Sequence, residues 1–214
     1  MSKGILVLGA GGHASVIVDV LLASKNKIVG IISPEVVQER KIFDGLNFYH
    51  DECIIYDYHV KDIFLVNGVG SLPFNNRRSD IYNKYTNEGY EFLSVLSSNA
   101  YISEYAVLGR GVQVMPGAII QAGAVIGDNT IINTSAIIEH DCIIGCNNHI
   151  APGATLSGGV HTGSDVHIGT NATIIQSIAI GERSVIGAGA VITKDVKEES
   201  IVYPAKVFIR RMAE

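Results

Sequence analysis

Little in this chain ties it to an oxidising compartment, a nucleic acid or a membrane. It has three cysteines, Cys53, Cys142 and Cys146, in 214 residues. That is no disulfide framework, and the expectation is a cytoplasmic protein with reduced thiols. Only 17% of the residues are charged, the net charge is −5, and there is no basic run. Nucleic acid is therefore not expected as a partner. The longest apolar stretches are too short or too rich in glycine to span a bilayer, so no membrane association is expected. Met1-Ser2-Lys3 leads into a strand-like segment without a signal-peptide pattern. What is left is a chain long enough to bury a full core and to hold two domains.

What the chain does have is a period. Every sixth residue from Ile102 to Ile192 is aliphatic, sixteen positions with Thr162 the one exception. A helix repeats its apolar residues at three to four and a half-buried strand at two, so six fits neither. It fits a chain that turns a corner every six residues and points one aliphatic side chain inward from each flat face. Two residues before each aliphatic stands a mostly small residue, as at Ala100, Ala106, Ala118, Ala124, Ala136, Cys142 and Ala154. Such residues suit a tight inner corner. Gly109, Gly127, Gly145, Gly163 and Gly181 recur at eighteen, where backbone freedom is the expected reason. Three faces per turn make a triangular prism of about five coils, a parallel β-helix. The region resembles the hexapeptide-repeat acyltransferases, and that resemblance implies a left-handed helix.

The first hundred residues have another rhythm. Gly4 to Leu8, Ile28 to Ile32, Phe64 to Asn67 and Tyr90 to Leu96 read as strands, and Ser15 to Ser24 and Asn75 to Gly89 as helices. Alternation of this kind implies a small parallel, Rossmann-like sheet. Gly9-x-Gly11-x-x-Ala14 sits between a strand and a helix, where backbone N–H groups and a helix N-terminus approach a phosphate. A redox dinucleotide would ask for an acid after the second strand, and Ser33-Pro34-Glu35 stands there. A nucleotide-sugar diphosphate suits the turn better, and a purely structural turn is the plain alternative. The expected organisation is residues 1–98 as a nucleotide-sugar-binding α/β domain and residues 99–214 as the β-helix with its tail.

An α/β domain opening on Gly-Gly-His and followed by a hexapeptide β-helix resembles the bacterial sugar acetyltransferases. These comprise the UDP-4-amino-sugar N-acetyltransferases of bacillosamine synthesis and the sialic-acid O-acetyltransferases. The resemblance implies a substrate-binding role for Gly11, Gly12, His13 and Gly68. It departs at Ser33-Pro34, where some members carry an Asp pair that reads the nucleotide, so the base and the sugar stay open.

Among seven histidines, His140 stands out, flanked by Glu139 and Asp141 in a stretch poor in charge. Transfer of an acyl group from a thioester needs a general base with a pKa near neutrality, and histidine supplies one. The resemblance implies the same: Glu139-His140-Asp141 matches the family's catalytic motif, with His140 as base and Asp141 tuning it. It also places Asn133 beside the pocket, His149 on acetyl-CoA, and Lys206, in Tyr203-Pro204-Ala205-Lys206, near the coenzyme. Arg210 and Arg211 are further candidates for its phosphates. The alternatives are a solvated corner histidine at His140 and a zinc site on His149, His161 and His167. The second wants three convergent imidazoles, which the spacing of His161 and His167 does not give, so no metal is expected. Cys142 falls on an inward position and Cys146 has no activating histidine, so direct attack is favoured over a cysteinyl intermediate.

The expectation is an acetyl-CoA-dependent N-acetyltransferase acting on a nucleotide-activated 4-amino-4,6-dideoxy sugar, assembled as a homotrimer. O-acetylation of a sialic acid or related sugar, and a non-catalytic assembly subunit, are the competing readings.

Overall fold

The computed structural model describes residues 3–34 and 40–205. Among these the amino-terminal domain has four parallel strands, β1 (Gly4–Leu8), β2 (Ile28–Ile32), β3 (Phe48–Tyr49) and β4 (Ile63–Asn67), in the order β3-β2-β1-β4. Helix α1 (Gly12–Ala23) and helix α2 (Arg77–Asn87) cover opposite sides of the sheet. The period of two in β1 sorts its side chains. Ile5 and Val7 join Ile17, Val18 and Leu21 of α1, and Leu6 and Leu8 join Tyr82 and Tyr85 of α2. A strand covered on both faces reads as an unbroken apolar run, which is how β1 looks in the sequence. Helix α1 starts at Gly12, three residues before the expected Ser15.

Tyr90 to Leu96, expected as one strand of this sheet, is divided. Phe92 makes a single bridge to Leu65, whereas Val95–Leu96 pairs with Gln113–Val114 and belongs to the prism. The prism thus begins upstream of Asn99, and its first strand is continuous with the last segment of the α/β domain.

Each coil of the prism lays two-residue strands on three faces, and parallel pairing links residue i to residue i+18 on each face. The resulting stacks have seven, six and five strands, the left-handed parallel β-helix. One face, carrying Gln113, Ile131, His149 and His167, lies toward the α/β domain. The second carries Ile119, Ile137 and Thr155, and the third Val125, Ile143 and His161. The every-sixth aliphatics from Val114 to Ile192, apart from Thr162, are buried in one core. Each fully buried Ile contributes about 1.5–3 kcal/mol, and Ile138→Ala would cost about 2–5 kcal/mol. Thr162 breaks the aliphatic series for a visible reason: its hydroxyl accepts from the buried Asn148 amide. Asn148 is itself tied to Gly163 and Val166, so this buried polar patch has its hydrogen bonds.

The glycines at eighteen serve another purpose than the expected one. None of Gly109, Gly127, Gly145, Gly163 and Gly181 has a positive φ. A Cβ on each would strike the backbone or a side chain of the coil above; at Gly127 it would lie 2.6 Å from the Cys146 nitrogen. They permit close stacking of coils. The left-handed conformation falls elsewhere, at every sixth residue from Gly111 to Gly189. Glycine, Asn129, Ser135, Asp141, Asn147, Asp165, Asn171, Ser177 and Arg183 fill those corners. Asn and Asp bear that conformation more cheaply than most residues.

Candidate active site

The residues marked in the sequence fall into two groups. The first lies where the carboxyl ends of β1 and β4 meet the covered face of the prism. His13, in the first turn of α1, donates from Nε2 to Gln113 Oε1 at 2.7 Å. The orientation of Gln113 is set by its own amide, which donates to the Asn67 carbonyl at 2.7 Å. His149 projects from the prism and donates from Nδ1 to the Ser71 carbonyl at 3.1 Å. Its Nε2 accepts from the Asn133 amide at 3.0 Å. Asn133 is oriented in turn by the Thr134 N–H on its carbonyl oxygen. His149 is thus a neutral ring with both nitrogens engaged, and Asn133 and His149 meet as neighbours on adjacent coils.

This crevice holds positive charge poorly. Burial, with the Arg78 charge adding to it, brings the His13 pKa down to about 4 against the help of Gln113. Burial, followed by the His167 and His13 rings, brings His149 down to about 3. The His167 ring stands edge-on to His149 at 4.9 Å between centroids, as their spacing of eighteen predicts. Arg78 is buried and donates to the carbonyls of Asn67, Val69 and Asn129, so it fastens the loop after β4 to a prism corner.

The glycines divide by what surrounds them. A Cβ on Gly11 or Gly12 would meet nothing within 4 Å, so the turn after β1 is open. The strained member of the motif is Gly9, with φ +100. At Gly68 a Cβ would lie 3.0 Å from Ala14, Leu8 and Val7 atoms; packing of β4 against β1 and α1 accounts for that glycine.

The second group sits at the corner between the second and third faces. His140 and Asp141 are exposed, and Nδ1 of the ring lies 2.8 Å from Asp141 Oδ2. A carboxylate only accepts, so Nδ1 carries the proton that faces Asp141. Nε2 has no hydrogen-bond partner among the described residues. Asp141 occupies a left-handed corner, φ +59. Glu139, beside them, is half-buried. One full face of the prism separates this dyad from Asn133 and His149. Lys206, Arg210 and Arg211 lie outside the described residues. Cys142 is buried and Cys146 exposed. No group of three or more His, Cys, Asp or Glu among the described residues could hold a metal. No helix among them is long and apolar enough to cross a membrane.

A six-residue repeat laid on three parallel stacks is the architecture of the hexapeptide transferases. The bacterial transferase hexapeptide family model matches residues 105–140, 123–158 and 159–194. The model described as the PglD N-terminal domain matches residues 4–85. The acetyltransferase domain of PglB from Neisseria gonorrhoeae FA1090, solved with acetyl coenzyme A, is 30% identical. The match covers 97% of this chain and 100% of that one, with a TM-score of 0.86. PerB from Caulobacter crescentus, solved with CoA and GDP-perosamine, is 29% identical over 94% of each chain, TM-score 0.83. WeeI from Acinetobacter baumannii AYE shares the fold, at 22% identity and TM-score 0.81. No curated protein sequence matches significantly. The chain belongs to the hexapeptide-repeat sugar acetyltransferases and is an acetyl-CoA-dependent acetyltransferase.

Sequence reading passed over Gln113, Asn67, Ser71 and Arg78. Gln113 had a signal available: it is a polar residue in an outward position that proves fully covered. Ser71 and Asn67 act through carbonyl oxygens, which no side-chain pattern reveals.

Proposed function

We propose that the protein transfers the acetyl group of acetyl-CoA to the amino group of a nucleotide-linked 4-amino-4,6-dideoxy sugar. The amine attacks the thioester carbonyl directly. His140 Nε2 takes the proton the amine gives up, and Asp141 steadies the imidazolium that forms. Coenzyme A leaves as the thiolate and recovers a proton. The observation that carries this reading is the His140–Asp141 pair, which leaves one basic nitrogen free at an exposed corner. PerB, bound to CoA and GDP-perosamine, supports an amino sugar on a nucleotide as the acceptor class. The open turn at Gly11 and Gly12 supports a diphosphate at the helix N-terminus, with His13 beside it. His149 and Lys206 are assigned to the coenzyme side.

The active unit is a homotrimer in this reading. The dyad and the crevice are a full face apart on one chain, so a second copy must bring its dyad to the first copy's crevice. The third face exposes a column of Val107 (60% exposed), Val125 (39%) and Ile143 (48%), apolar surface suited to another prism. Closed cyclic symmetry satisfies all three copies at once. The test is a panel of UDP-, GDP- and dTDP-linked amino sugars with acetyl-CoA, read by thiol release and by mass. Acetylation of the 4-amino group is the expected result. Release of thiol only with sialic acid, by transfer to a hydroxyl, would overturn it.

A further inference from the structure

The eighteen-residue coil sets residue i beneath residue i+18, which places Ala122, His140 and Gly158 in one column and Gly123, Asp141 and Gly159 in the next. The backbone confirms the stacking: Asp141 N donates to Ala122 O at 3.1 Å, and Gly159 N donates to His140 O at 2.9 Å. The two members of the dyad lean in opposite directions along the prism axis. A Cβ at Gly158 would lie 2.5 Å from His140 Nε2, 2.6 Å from Cε1 and 3.1 Å from Cδ2. The three heavy atoms nearest that point all belong to the one imidazole. One coil down, a Cβ at Gly123 would collide with Asp141 Oδ1.

Gly158 has no conformational need to be glycine, because its φ is not positive. Nor does packed backbone demand it, as it does at Gly127. What stands nearest the space of its missing side chain is the Nε2 edge of the His140 ring. We propose that Gly158 is a positioning residue: it lets the His140 ring lie down against the coil above, with Nδ1 still within reach of Asp141. Gly123 gives Asp141 the same room from below. The dyad is seated in the volume of two absent side chains. This rests on the reading of His140 as the base.

Ordinary van der Waals contact begins near 3.4 Å, so an alanine at 158 would push the ring edge aside by about 1 Å, a displacement that can cost up to about a hundredfold. Gly158→Ala in the intact holoenzyme should lower kcat roughly ten- to a hundredfold. KM for both substrates should stay within about threefold, since a positioning residue acts on the transition state. The decisive arm repeats the change in a His140→Ala background. With no ring to displace, Gly158→Ala should there cost less than about twofold, a strong coupling in the double-mutant cycle. An equal fall in both backgrounds would mean that Gly158 acts on a ligand or on the fold, and the proposal would be wrong. So would an unchanged kcat in the first background. A His140→Ala enzyme at full rate would remove the base itself, a separate failure seen before the cycle is closed. The wild-type protein provides an independent arm: a nuclear Overhauser contact between the His140 ring protons and the Gly158 α-protons is expected, and its absence would overturn the seating.

Discussion

Two histidine centres share this chain, and they are built on opposite terms. In the crevice, His13 and His149 are sheltered, hydrogen-bonded to neutral partners and held well below the usual imidazole range. At the prism corner, His140 is exposed, with a carboxylate on one nitrogen and no hydrogen-bond partner on the other among the described residues. Burial without a counter-charge turns an imidazole into a fixed donor and acceptor, here engaged by groups of the protein itself. Exposure beside a carboxylate leaves one ring nitrogen of His140 without a hydrogen-bond partner among the described residues, which is the basis of the role proposed for it. Residue type is the same in both places; burial and the partners on the ring nitrogens differ.

The largest expected effect comes from breaking the exposed centre. His140→Ala should cut kcat by roughly a hundredfold or more, the usual scale for a general base, with little change in the KM of acetyl-CoA. Steady-state kinetics checks it, and near-wild-type turnover would take His140 out of the mechanism. A smaller loss sharpens the other side of the comparison. Gly11→Val should raise the KM for the nucleotide sugar about tenfold, about 1.4 kcal/mol, while coenzyme binding stays put. The space over Gly11 is empty and its φ is −78, so the melting temperature should hardly move. A variant that binds the sugar normally but loses acetyl-CoA would mean the two ligands are assigned to the wrong domains.

The third expectation is a slope in stability rather than a rate. Unfolded, both crevice histidines take up a proton near pH 6.5; folded, His13 waits until about 4 and His149 until about 3. The unfolded chain therefore binds protons first as the pH falls, and stability is lost from about pH 6.5 downward. His13 alone accounts for up to about 3 kcal/mol by pH 4. Denaturant melts across this range should show the loss, and His13→Gln should flatten it. An unchanged slope in that variant would mean that His13 is protonated in the folded chain.

The prism was legible because its core repeats. A period of six has one physical reading, and inward positions from Val114 to Ile192 follow from it with Thr162 as the only break. The His140–Asp141 pair was legible because it is local: the two residues are neighbours in sequence. The crevice was only half legible. His13, Asn133 and His149 stand out by type, but the groups that hold the two rings across the domain junction are the side-chain amide of Gln113 and the carbonyl oxygen of Ser71, brought in by the folding of one domain onto another. The division of Tyr90 to Leu96 escaped for the same reason, since both sheets accept the same kind of apolar residue. The glycines at eighteen were seen but misread. Sequence tells that a side chain is absent, and only the stacked coils tell what stands in its place.

The coil of eighteen residues also makes the length of this domain come in steps. An insertion of six residues above the dyad would turn every later position onto the next face, taking His149 and His167 away from the loop after β4. An insertion of eighteen, placed clear of residues 122–159, would only make the prism one storey taller. The His140–Asp141 pair would keep its floor at Gly123 and its ceiling at Gly158. Whole storeys are the natural unit in which such a chain can grow or shrink without rebuilding its site.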